Sequence, residues 1–140
     1  MNPVNPYIFF DGDCAEAMHF YEQALGAKLE MMMAEDKAPG AKPLPKGKKP
    51  RILHARLNLK GGILMASDWM VDDPYPGMQG FRICLSCATK ADAERAYEAL
   101  SKGGKVYMPL EETFWNEAFG MLADRFGAPW MIDGPPKKMG

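Results

Sequence analysis

His54, Arg56 and Asn58 alternate with Leu53, Ala55, Leu57 and Leu59. That period of two predicts a strand over 51–58 with one apolar and one polar face. An imidazole ordinarily titrates near neutrality, so His54 is the first candidate for a general base. Arg56 and, further along, Arg82 carry the planar cations that hold carboxylates or phosphates. Glu111 and Glu112 could answer those arginines or supply a second acid–base group. Cys84 is a candidate nucleophile, although nothing in the sequence lowers its pKa and buried, inert thiols are the commoner case. Cys84 and Cys87 have C-x-x-C spacing, but residues three apart in a strand point to opposite faces and cannot share a metal. A lone strand histidine is more often a hydrogen-bonded structural residue than a catalyst, and His19 falls on a helix surface.

These groups need elements to position them. Tyr7-Ile8-Phe9-Phe10 reads as a first strand after Pro6. Asp13 and Glu16 have capping-box spacing at the head of a helix over 14–25, with Ala17, Met18, Tyr21, Ala24 and Leu25 on one face and Gly26 as its stop. A methionine-rich strand occupies 28–34. The stretch 36–50 holds four prolines and five lysines and is expected to be a solvated loop or arm. Lys60-Gly61-Gly62 folds the 51–58 strand back onto 63–67.

A proline- and glycine-rich linker leads to a second strand–helix series. It comprises a strand over 81–87, a helix over 90–102 capped by Thr89 and stopped by Gly103-Gly104, and a strand over 105–110. The closing hairpin pairs 119–123 with 129–133 around Asp124-Arg125-Phe126-Gly127. Here Asp124 and Arg125 are turn residues, and Trp130 and Ile132 pack on the second helix.

The two series repeat. Ala15, Ala17, Tyr21 and Glu22 recur 76 residues on as Ala91, Ala93, Tyr97 and Glu98. The fold class expected is α+β: two βαβββ modules in one chain, forming curved mixed sheets around a cavity with helices on the outer faces. One domain spans 1–140, with a first module over about 1–70, a linker over about 71–80 and a second module over about 81–135. Setting the apolar strand faces against the helices leaves the other faces for a ligand pocket. Those faces are expected to carry Ile8 and Phe10, then His54, Arg56 and Asn58, then Ile63, Met65 and Ser67. The second module adds Arg82, Cys84 and Ser86, then Met131 and Asp133, with Glu112 and Trp115 nearby.

The paired βαβββ plan, the Phe20-Tyr21-x-x-x-Leu25-Gly26 helix end and the Asp124-Arg125-Phe126-Gly127-x-Pro129-Trp130 turn resemble the vicinal oxygen chelate superfamily. That is the glyoxalase, bleomycin-resistance and extradiol dioxygenase group. His54-Ala55-Arg56-Leu57, Leu64-Met65-Ala66-Ser67-Asp68 and the segment 115–130 resemble its PhnB-like branch. The resemblance implies four metal-ligand positions, on the first and fourth strands of each module, usually His with Glu or Gln. They fall at Pro6, Met65, Arg82 and Met131, or with a one-residue slip at Tyr7, Leu64 and Phe81. None of these suits Zn²⁺, Ni²⁺, Mn²⁺ or Fe²⁺, so no metal cofactor is expected.

The expected protein is a PhnB-like homodimer with a metal-free small-molecule cavity. A metal-independent isomerase, lyase or transferase using His54 on a polar substrate is one alternative. A sequestering binder of bleomycin-resistance type, using Trp69, Trp115 and the methionines, is another.

The bulk composition fits this class. The formal charge is −1, from 17 basic and 18 acidic residues, so neither nucleic acid nor an anionic membrane is an expected partner. Three cysteines, an N-terminus without signal-peptide character and no membrane-length apolar run point to the cytoplasm.

Overall fold

The computed structural model describes residues 2–138, and the chain divides into two compact units, Met1–Gly77 and Met78–Gly140. The first contains β1 (Tyr7–Phe10), α1 (Cys14–Leu25), β2 (Lys28–Ala34), β3 (Ile52–Leu59) and β4 (Gly62–Asp68). The second contains β5 (Ile83–Ser86), α2 (Lys90–Ser101), β6 (Lys105–Glu111), β7 (Phe119–Ala123) and β8 (Pro129–Asp133). Each unit is a βαβββ module. The sheets run β1-β4-β3-β2 and β5-β8-β7-β6, with the first pair parallel and the rest antiparallel. No helix among the described residues is long and apolar enough to cross a membrane.

In the first unit α1 covers one sheet face. Cys14, Ala17, Met18 and Tyr21 are buried against Ile8, Phe10, Ala55, Leu57, Leu64 and Ala66. The helix ends where Gly26 takes φ +62 and the Ala27 N–H returns to the Glu22 carbonyl at 3.1 Å. Its start differs from expectation, because Asp13 makes no side-chain cap. The buried carboxylate of Asp68, at the end of β4, does that work instead. Its Oδ1 accepts from the N–H groups of Gly12 (2.9 Å) and Cys14 (3.0 Å), and its Oδ2 from that of Ile52 (2.8 Å). One side chain thereby joins the head of α1 to the head of β3.

The 38–50 stretch forms no strand, and a short 3-10 turn over Glu35–Lys37 leads into it. Its base is closed twice: Glu35 N–H donates to the Arg51 carbonyl at 2.8 Å, and Arg51 N–H donates to Glu35 Oε1 at 2.9 Å.

The second unit repeats the scheme with different chemistry. Thr89 caps α2 by accepting from Asp92 N–H at 3.0 Å. Ala93, Ala96 and Leu100 are buried on the helix, and Leu122, Trp130 and Ile132 on the sheet. The closing hairpin turns where Gly127 takes φ +88. There Asp124 Oδ1 accepts from Phe126 and Ala128 N–H, and Oδ2 accepts from the indole Nε1 of the buried Trp130 at 2.9 Å. Gly120 is a close-packing point, since a Cβ there would stand 2.7 Å from the Tyr97 ring and 3.0 Å from the backbone of Met108 and Leu110.

Candidate functional site

Register decides which side chains share the sheet face left open by the helix. In the first unit Tyr7 lies opposite Met65 and Phe9 opposite Ser67, while Arg56 also pairs with Met65. The open face therefore carries Tyr7 and Phe9, not Ile8 and Phe10. Phe10 is 1% exposed, and its ring lies 6.5 Å from that of Tyr21. The expectation for Phe10 is thus corrected: it belongs to the core under α1. Ser67 lies in register with Phe9, yet it is buried and its hydroxyl donates to the Asp68 carbonyl at 3.0 Å, so it presents no free polar group.

His54, Arg56, Asn58 and Met65 are brought together. Tyr7 Oη and His54 Nδ1 share a hydrogen bond of 3.1 Å, and their rings stack at 5.6 Å. From Tyr7 the aromatic contacts continue to Phe9 (5.1 Å), Trp69 (5.3 Å) and Tyr75 (6.3 Å). Tyr7 and Phe9 are 37% and 39% exposed, which leaves their ring faces available. Burial, then the charges of Asp11 and Asp13, push the Tyr75 hydroxyl above the usual phenol range. It stays protonated and donates to the Phe9 carbonyl at 2.7 Å.

Glu30 carries no signal in the sequence, but it governs this face. It lies where the β2–β3 register shifts between Leu29 and Met31. Its Oε1 takes Arg56 Nε at 3.3 Å and its Oε2 takes Asn58 Nδ2 at 3.2 Å. Arg56 is therefore already neutralised by a carboxylate.

In the second unit Cys84 lies beside Met131, and Ser86 beside Asp133. The Cys84 thiol donates to Asp133 Oδ2 at 3.7 Å. Burial first and the Asp133 charge second raise its pKa, so the thiol is held protonated and is a poor nucleophile. Arg82 precedes β5 rather than lying within it. Its Nη1 donates to the carbonyls of Leu122 (3.0 Å) and Trp130 (3.2 Å).

Glu112 and Trp115 stand on the β6–β7 connection. The Lys137 ammonium hydrogen-bonds Glu112, and this contact, then the ammonium charge, holds the carboxyl below its usual range. Trp115 packs edge-on against Phe119 at 5.3 Å. Asn116 braces that connection, donating to the Gly134 carbonyl and accepting from the Ala118 and Gly134 N–H groups.

The residues beside Met65 and Met131 are Tyr7 and Cys84, in place of the Pro6 and Arg82 expected at the first-strand ligand positions. A phenol, a thiol and two thioethers do not match the imidazole and carboxylate set that such metal sites use. Among the described residues, no group of three or more His, Cys, Asp or Glu side chains could hold a metal ion.

Comparison with known proteins agrees with this architecture. Residues 4–132 match the family model of the Glyoxalase/Bleomycin resistance protein/Dioxygenase superfamily. The chain is 32% identical over 139 residues to protein YjdN of Escherichia coli, covering 94% of each chain. Protein PA1353 from Pseudomonas aeruginosa is 44% identical with a TM-score of 0.84, over 96% of this chain and 98% of that one. The PhnB protein from Bacillus cereus shares the fold at 22% identity, with a TM-score of 0.78 over 96% of this chain and 100% of that one. The chain belongs to the Glyoxalase/Bleomycin resistance protein/Dioxygenase superfamily.

Proposed function

We propose that this chain is a PhnB-like, homodimeric protein that binds a small molecule without a metal. The observation that carries the reading is the open face of the first sheet. A histidine–tyrosine pair and a run of aromatic rings lie there beside Met65, with Arg56 and Asn58 held by Glu30. Stacking surface with a few fixed polar groups is the usual make-up of a small-molecule site. The three unpaired cysteines fit a reducing compartment. Phe114, 77% exposed and packed on Trp115, offers apolar surface for a second copy.

Thermal-shift screening with a library of small organic molecules tests the binding. Ligands should raise Tm, and substituting Phe9→Ser should weaken those that stack. Titration with Zn²⁺, Ni²⁺ and Mn²⁺ should show no stoichiometric tight binding, and such binding would sink the metal-free reading. A monomer in sedimentation at micromolar concentration would remove the dimer.

One observation favours a second reading, an isomerase, lyase or transferase. The hydrogen bond shared by Tyr7 Oη and His54 Nδ1 engages one ring nitrogen and leaves Nε2 as the other, the atom able to exchange a proton with a substrate. Turnover of a bound ligand that vanishes in His54→Ala while binding persists would establish it. Binding without turnover would leave the first reading alone.

A further inference from the structure

The two arginines of the open faces differ in a way their sequence context conceals. Glu30 neutralises Arg56. Arg82 has no such partner: among the described residues no Asp or Glu oxygen lies within 4.0 Å of it, and the same holds for Lys105. Both cations converge on one side chain. Arg82 Cζ is 4.8 Å, and Lys105 Nζ 4.9 Å, from the centroid of the Tyr107 ring, which is 51% exposed. Aromatic faces and backbone carbonyls hold cations in place but do not cancel a full charge. Only one terminal nitrogen of Arg82 is used by the carbonyls, so donors remain on a guanidinium whose position is already set. Arg82 and Tyr107 line an open depression of about 850 Å³ together with Phe81, Met121 and Met131.

We propose that this depression binds a small organic anion, with Arg82 taking its carboxylate or phosphate, Lys105 adding its positive charge from beside the Tyr107 ring, and Phe81, Met121 and Met131 taking an apolar body. The inference rests on the small-molecule-binding reading above and specifies the ligand's charge. Preorganised cations beside thioether and aromatic surface select an anion with a hydrophobic part, and they repel an amine of the same shape.

Calorimetric titration of the full chain with benzoate, phenyl phosphate and benzylammonium at low ionic strength tests it. Benzoate or phenyl phosphate should bind with Kd in about the millimolar range, and benzylammonium should not bind. Whichever anion binds more tightly identifies the head group. Lys105→Gln, on an exposed strand residue, should weaken the anion about fivefold. Arg82→Lys, which keeps the charge but loses the fork, should weaken it about tenfold. Equal binding of benzylammonium, no binding of either anion up to about 10 mM, or affinity unchanged in Lys105→Gln would overturn the proposal. Screening hits that are indifferent to Lys105→Gln would leave the binding reading intact while this proposal fell.

Discussion

Replacing Asp68 tests whether one buried carboxylate organises the first unit. It is 1% exposed and accepts three backbone N–H bonds of 2.8–3.0 Å. A hydrogen bond to a charged group contributes about 1.5–3 kcal/mol net, and a buried donor left without a partner costs about 1–3 kcal/mol. Asp68→Ala strands three donors at once. Allowing for relaxation and water entry, the loss should be about 3–5 kcal/mol, a large part of the stability of a domain this size. Asp68→Asn keeps one oxygen for two of the amides but turns an NH₂ toward the third, and should cost about 2 kcal/mol. Urea unfolding followed by tryptophan fluorescence gives the stability. Hydrogen exchange gives the location, because the amides of Gly12, Cys14 and Ile52 should lose protection first. A loss below about 1 kcal/mol in Asp68→Ala, with those three amides still protected, would refute the argument.

Gly120→Ala should destabilise the second unit by about 1–3 kcal/mol, since its methyl group meets the Tyr97 ring and the backbone of β6; urea unfolding measures this, and a neutral result would mean α2 and β6 can shift. The Cys84 thiol should alkylate with iodoacetamide at pH 8 more slowly than free cysteine. Asp133→Asn should speed that reaction by removing the charge that raises its pKa, and equal rates would discount the carboxylate. Burial, then the charge of Asp68, pushes the Cys14 thiol from near 9 up to about 12. The folded state therefore keeps a proton that the unfolded chain gives up. The stability this contributes is complete below about pH 9 and is lost toward pH 12, at up to about 1.4 kcal/mol per pH unit. Alkaline unfolding of Cys14→Ala should lack that slope.

The helices and the closing hairpin were legible because periodicity, Thr89, Gly26 and the Asp124–Gly127 turn all act locally. The faces of β1 were not, since Tyr7, Ile8, Phe9 and Phe10 are all apolar or aromatic and alternation gives no phase. Pairing with β4 supplies the phase, and it exchanges Phe10 for Phe9 on the open face. Capping-box spacing pointed to Asp13 at the head of α1, but the working carboxylate, Asp68, lies more than 50 residues away. Alternation alone placed His54, Arg56 and Asn58 on one face, and it set Cys84 and Met131 on the face opposite Trp130. The neutralisation of Arg56 was hidden by a register shift in β2. The convergence of Arg82 and Lys105 on Tyr107 depends on strands that only the fold brings together.

The two hydrogen bonds between Glu35 and Arg51 have a consequence for how this chain can vary. Arg51 is also tied to the Trp69 carbonyl and to Asp11, so the base of the lysine-rich arm is anchored to two other segments. A segment pinned at its root transmits little of its own length to the sheet. Doubling the length of such a loop costs only about 0.6 kcal/mol in closure entropy. The arm between 38 and 50 is therefore a place where sequence can be inserted, replaced or labelled with the rest of the molecule unaffected.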